Sequence, residues 1–214
     1  MHMDRFRVIP FHTLDRPQRP ADTDRETDEA AAPVLEKLRR HHLPTYEHSL
    51  RVADLVRELA GRLGWSSARV RKLVRAARLH DVGKLAVPLS ILDKAAELSE
   101  GEWACMDRHS GIGADLLAVT ELLADEAYIV RYHHRWFAAN SPLSSGYDAL
   151  RDHGIDLLAV CDAYDAMVSE RPYRCPKARH EAIEQLDAGA GDQFCPRVVR
   201  EFRRMVREQA AFRS

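Results

Sequence analysis

No run in this 214-residue chain approaches the roughly 20 apolar residues that a membrane-spanning helix requires. The N-terminus also lacks an apolar core of secretory length. The four cysteines, Cys105, Cys161, Cys175 and Cys195, form no Cys-x-x-Cys pair, so a soft thiolate metal site is not expected. Reduced thiols and a cytoplasmic protein are. An excess of one charge is missing too. Thirty-two Lys and Arg stand against 33 Asp and Glu, which leaves no global electrostatic case for DNA, RNA or a membrane surface as partner. Strand-type alternation and internal repeats are likewise absent.

What is present is helical periodicity. From Val34 onward apolar residues recur at helical spacing, and the length suits one domain with a sizeable core. Residues 1–32, with Pro10, Pro17, Pro20 and the polar run 21–29, read as a loosely ordered lead-in to a domain over 33–214. Residues 45–63 put His48, Val52, Leu55, Val56, Leu59 and Leu63 on one face and Glu47, Arg51, Asp54, Glu58 and Arg62 on the other. A helix near 67–80 buries Val70, Leu73, Val74 and Ala77 and ends at His80-Asp81. Ser99 and Glu102 have the spacing of a capping box, opening a helix with Cys105, Met106, His109, Ile112 and Leu116 inward. A helix of about 121–134 finishes in His133-His134, residues 136–150 read as a long loop, and a helix of about 151–169 turns Asp162 inward with Ile155, Leu158, Ala159 and Ala166. Pro196 suits the first turn of a last helix with Val198, Val199, Phe202 and Met205 on its core side. The predicted fold is an all-α bundle. The acid-free basic stretch Arg62, Arg69, Arg71, Lys72, Arg75, Arg78 reads first as a solvated face and second as a nucleotide- or partner-attracting surface.

Seven polar residues fall on apolar faces or helix ends: His48, His80, Asp81, His109, His133, His134 and Asp162. A single inward histidine is more often a hydrogen-bonded core residue than a ligand, but seven such residues spread over five helices point to a common interior metal site. An inward carboxylate such as Asp162 needs a metal, an arginine or a lysine beside it. Imidazole and carboxylate donors suit divalent metals of borderline or hard character. Seven ligands exceed what one ion takes from protein while keeping positions open for water and substrate, so two ions fit the count. Lys84, close after the His80-Asp81 pair, would supply fixed charge to a substrate phosphate.

From about Tyr46 to Phe202 the chain resembles the HD-GYP branch of the HD-domain metal-dependent phosphohydrolases. The blocks that carry the resemblance are His48-Ser49-x-Arg51-Val52, His80-Asp81-x-Gly83-Lys84, Ile91-Leu92-x-Lys94, His109-x-x-x-Gly113, His133-His134, Gly146-Tyr147, Asp162-x-x-Asp165-Ala166-Met167 and Arg171-Pro172-Tyr173-Arg174. The resemblance implies a helical bundle holding two or three iron or manganese ions, with the seven candidates as ligands and Asp81 bridging. It also implies phosphate contacts from Lys84, Arg171 and Arg174, and hydrolysis of cyclic di-GMP by a metal-bridging hydroxide. Asp165 matches the second aspartate of its motif; a position behind a ligand and a salt bridge to Arg171 or Arg174 are both open. Pro44 stands one turn before His48, where three-metal members place an acidic ligand, so two ions are expected here.

The chain departs from the family pattern in four places. Gly146-Tyr147-Asp148 replaces Gly-Tyr-Pro; the glutamate after the histidine pair is missing in a loop that is also longer and lacks Asp-Gly; Asp156 replaces an arginine; and Phe194-Cys195-Pro196 replaces Phe-Asp-Pro. None touches an expected ligand, and base recognition is where they bear. Two other functions are therefore compatible with the sequence: a cyclic di-GMP receptor or interaction partner of the enzymes that synthesise the dinucleotide, and an HD phosphohydrolase of another nucleotide. The loop 136–148 is expected to cover the metals, with Tyr147 as the aromatic reaching the substrate pocket.

Overall fold

The computed structural model describes residues 21–140, 149–170 and 175–211. Ten α-helices occur among the described residues: α1 (Ala21–His41), α2 (Leu43–Arg62), α3 (Ser67–Leu79), α4 (Leu89–Leu92), α5 (Glu100–Asp107), α6 (His109–Leu117), α7 (Ala124–Tyr132), α8 (Ala149–Val168), α9 (Arg179–Ala188) and α10 (Pro196–Ala211). A 3-10 turn, Val82–Ala86, follows α3. No strand ladder exists among the described residues, in keeping with the all-α expectation.

Local sequence accounts for the boundaries. Ser66 caps α3 by accepting from the Arg69 amide, and the expected capping box at α5 is complete, with Ser99 N–H donating to Glu102 at 2.7 Å and Glu102 N–H to Ser99 Oγ at 3.4 Å. Pro196 opens α10, whose inner face, Val198, Val199, Phe202 and Met205, is buried. These helices enclose two apolar clusters. The larger joins α2, α3, α8, α9 and α10 through residues such as Val56, Leu73, Leu158, Leu186 and Phe202. The smaller joins α1, the end of α3, the 3-10 turn, α6 and α7 through Leu38, Leu79, Val82, Leu117 and Val130. Burying a Leu or Phe side chain contributes roughly 1.5–3 kcal/mol, so these clusters hold the helix ends that carry the polar site.

Three expectations need correction. Over residues 21–32 the lead-in is helix rather than loose chain, because Thr27 and Ala31 are buried and the polar run pairs with α3: Arg71 Nε donates to Asp24 at 2.8 Å and Arg75 Nη1 to Asp28 at 2.8 Å. Residues 1–20 lie outside the described residues. The basic stretch is not wholly a solvated face, since Arg75 is buried and donates from Nε to buried Glu126 at 2.8 Å. The helix opened by Ser99 breaks at Arg108, so the inward stripe read across Cys105, Met106, Ile112 and Leu116 does not continue: α5 has no buried residue, Leu116 is exposed, and α6 buries His109, Gly113, Ala114 and Leu117 instead.

Candidate metal centre

His80, His109 and His133 share one construction. Each stands at a helix end and bonds through Nδ1 to the carbonyl three residues earlier: Ala77 at 2.7 Å, Met106 at 2.7 Å and Val130 at 2.6 Å. A carbonyl only accepts, so in each ring Nδ1 carries the proton and Nε2 keeps its lone pair. All three Nε2 atoms turn to one interior space. His80 Nε2 is buried there without a hydrogen-bond partner. An unsatisfied buried nitrogen costs about 1–3 kcal/mol, and a metal ion is the partner its lone pair suits.

The donor atoms fall into three overlapping groups, one of them His80, Asp81 and His133. His48, His80 and Asp162 have ligand atoms within 4.8 Å of one another, as do His109, His133 and His134. Within the first group His48 Nε2 is 3.0 Å and His80 Nε2 3.7 Å from Asp162 Oδ1. Within the second, His109 Nε2 is 3.4 Å from His133 Nε2 and 3.1 Å from His134 Nε2. Asp81 lies between the groups. Its Oδ2 is 3.5 Å from His80 and 3.8 Å from His48, while its Oδ1 is 3.4 Å from His109. All seven residues singled out from sequence are thus brought together, and Asp162 meets the imidazoles of His48 and His80 rather than an arginine or lysine.

Electrostatics favour a bound cation. Burial alone would raise Asp81, but the Lys84 ammonium beside it and the charged His48 ring hold its carboxyl well below the usual range. Burial is likewise overcome at Asp162, which the His48 hydrogen bond keeps low. Burial pushes His80, His109 and His133 down, so these rings stay neutral and available as ligands. At His48 burial opposes charge, yet hydrogen bonds to Asp162 and Asp165 prevail and push the imidazole up to about 9. Two low-pKa carboxylates facing neutral imidazole lone pairs fit divalent metal ions by donor chemistry.

A family model for the HD domain matches residues 45–167, a span that contains every one of these donors. The chain belongs to the HD domain family. Among curated relatives, a cyclic di-GMP phosphodiesterase of Thermotoga maritima is 33% identical over 171 residues, covering 78% of this chain and 46% of that protein. A 3'3'-cGAMP-specific phosphodiesterase of Vibrio cholerae is 32% identical over 158 residues, covering 72% of this chain and 30% of that protein. The chain thus spans less than half the length of these relatives. The HD domain of the L. monocytogenes phosphodiesterase PgpH, solved with cyclic-di-AMP, superposes with a TM-score of 0.56 at 19% identity, covering 80% of this chain and 92% of that one; at this identity it speaks for the fold alone.

Two supports of the HD site were not decided by the sequence. Asp165, left open between two partners, accepts from His48 Nδ1 at 2.7 Å and from Arg51 Nε and Nη2, both at 2.9 Å. It stands behind His48, and its arginine is Arg51, which periodicity had placed on the solvent side. Arg51 recurs one turn after Glu47 among charged residues, so only the quoted His48-Ser49-x-Arg51 block signalled it. Arg51→Ala is expected to weaken metal binding by about 10–100-fold, because the carboxylate that orients His48, a candidate ligand, loses its anchor. Competition with a metal chelator measures this; unchanged affinity would assign Arg51 to the surface. The second support is Gly83. A Cβ there would lie 1.8 Å from the His109 carbonyl oxygen and 2.6 Å from the Gly113 amide nitrogen, so the 3-10 turn touches α6 backbone to backbone.

The centre opens on one side. His134 is exposed, and a cleft of about 80 Å³ beside it is lined by His133, His134, Trp136, Asp162, Gln193 and Phe194. The segment after the histidine pair is pinned to the α9–α10 turn by Phe137 N–H to Gln193 O at 3.1 Å and Ala138 N–H to Asp192 O at 2.8 Å. No sequence signal tied Gln193 to this cleft. Lys84 reaches the same centre, with Nζ 2.7 Å from Asp81 Oδ2. Arg171, Arg174 and Tyr147, the other expected substrate contacts, lie outside the described residues, as does most of the expected covering loop.

Proposed function

We propose that this HD domain is a metal-dependent phosphodiesterase that hydrolyses cyclic di-GMP in the cytoplasm, with two ions, iron or manganese, held by His48, His80 and Asp162 on one side and His109, His133 and His134 on the other. The observation that carries this reading is the position of Asp81 among overlapping groups of donors, with Oδ2 turned to His80 and His48 and Oδ1 to His109. The names of its relatives as cyclic dinucleotide phosphodiesterases supply the substrate class. Two ions rather than three follow from Pro44, which lies exposed in the first turn of α2 and offers no ligand atom.

Bound divalent ions in such a site supply an activated water at neutral pH and neutralise developing phosphate charge. The chain's own residues do the rest. Lys84, only 17% exposed at the side chain, already offers its ammonium to Asp81 and from that position can meet a phosphate oxygen. Arg171 and Arg174 complete the phosphate clamp in this reading, and Tyr147 contacts the base. The neutral Nε2-donor rings hold their orientation through the backbone carbonyls behind them, so little rearrangement is needed as charge develops.

A second substrate, 3'3'-cGAMP, is favoured by the Vibrio cholerae relatives specific for it. The test is turnover of a panel of cyclic dinucleotides and mononucleotides with manganese and with anaerobic iron. The leading reading predicts hydrolysis of cyclic di-GMP; preference for 3'3'-cGAMP would support the second, and binding without turnover would contradict both. Trp136, exposed at 51% on the cleft wall, bears on the choice. Trp136→Ala is expected to raise KM several-fold and change the ratio of kcat/KM between the two dinucleotides, with metal content unchanged, since aromatic–base stacking contributes about 1–3 kcal/mol. Identical kinetics on both substrates would remove Trp136 from the pocket.

A further inference from the structure

Away from the metal centre, a ladder of ion pairs between α1 and α3 stops one rung short. Arg71, Arg75 and Arg78 follow one another along α3 at four- and three-residue steps. α1 runs alongside and answers the first two: Asp24 accepts from Arg71 and Asp28 from Arg75, each pair 47 residues apart in sequence. The same offset from Arg78 falls on Ala31, a buried methyl group with no charge to offer. Arg78 Nε is shielded from solvent and has no hydrogen-bond partner.

A pocket of about 160 Å³ lies at this place, lined by Arg57, Arg71, Arg75 and Arg78 with Val74 and a single acid, Asp28. A guanidinium cannot shed its proton, and withdrawing one of its donors from water without a partner is costly. Its planar fork matches the paired oxygens of a tetrahedral oxyanion better than it matches water.

We propose that this pocket binds a phosphate-type oxyanion, with Arg78 as principal donor and the arginines of the flanking rungs contributing charge. The ligand class is a free phosphate ion or the phosphate group of a nucleotide. Asp28, 65% exposed at the side chain, opposes the anion and sets a limit on affinity. The site is separate from Lys84 and the metal ligands, and it stands or falls independently of the phosphodiesterase reading.

The experiment is calorimetric titration of the metal-loaded protein with inorganic phosphate and, separately, with GMP, on the wild type, Arg78→Ala, Arg78→Gln, Lys84→Ala and Asp28→Asn. One binding event should be lost or weakened by about tenfold or more in both Arg78 variants, persist in Lys84→Ala, tighten in Asp28→Asn and weaken as ionic strength rises. Equal affinity for phosphate and GMP assigns a free ion, whereas tighter GMP binding assigns a nucleotide phosphate. The two Arg78 substitutions differ in size and polarity, so loss of fold in one leaves the other to decide. Absence of any binding event that depends on Arg78, or binding that disappears only with Lys84→Ala, overturns the proposal.

Discussion

Asp81→Ala is expected to abolish hydrolysis and to lower metal content together. Asp81 is buried, holds its charge against that burial, and turns its two oxygens to different imidazoles, Oδ2 to His80 and Oδ1 to His109. Removing it takes one donor oxygen from each side of the centre and the single negative charge that the two sides share. A loss of several kcal/mol of transition-state stabilisation corresponds to a rate lower by about a thousandfold or more. Lys84→Ala should separate the two effects, leaving metal content intact and weakening phosphate handling. Assay of turnover beside elemental analysis of the same preparations checks both. Full metal and full activity in the Asp81 variant would mean the centre has been placed wrongly.

Gly83→Ala is expected to disrupt the site without removing any ligand. The added methyl would stand 1.8 Å from the His109 carbonyl oxygen, and the obstacle is backbone rather than a side chain that can swing aside. The 3-10 turn and α6 must then separate. Asp81 immediately precedes that turn and His109 begins α6, so the separation pulls one half of the centre from the other. Overpacking of this kind costs about 3 kcal/mol. The expected results are a lower Tm, less bound metal and activity reduced in proportion to the metal lost. If Gly83→Ala keeps wild-type metal content and Tm, the turn and α6 are not held by this contact.

Much of this was legible in the sequence because the candidate ligands obey helical periodicity. His48 and Asp162 recur with apolar residues on α2 and α8, and His80 and His133 stand at predicted helix ends, where the backbone carbonyl three residues earlier is free to fix the ring. The capping box of α5 was equally plain, because its signature is local. What was not legible depends on contacts distant in sequence. The helix over residues 21–32 has few apolar residues and forms by pairing Asp24 and Asp28 with arginines 47 positions later. Arg51 looked solvent-facing because its partner, Asp165, lies 114 residues away. The break at Arg108 replaced one expected helix with two and left Leu116 exposed, since no glycine or proline announces it. Gly83 was visible as a residue, but its role appears only once α6 is against it.

The most direct test is the number of metal ions in protein purified without chelator. Elemental analysis should find about two tightly held ions of iron or manganese per chain, and the count should fall in His80→Ala and in His133→Ala, which strike the two imidazole groups separately. Three tightly held ions per chain, or a single ion whose loss follows only one of those substitutions, would contradict a pair of ions joined through Asp81.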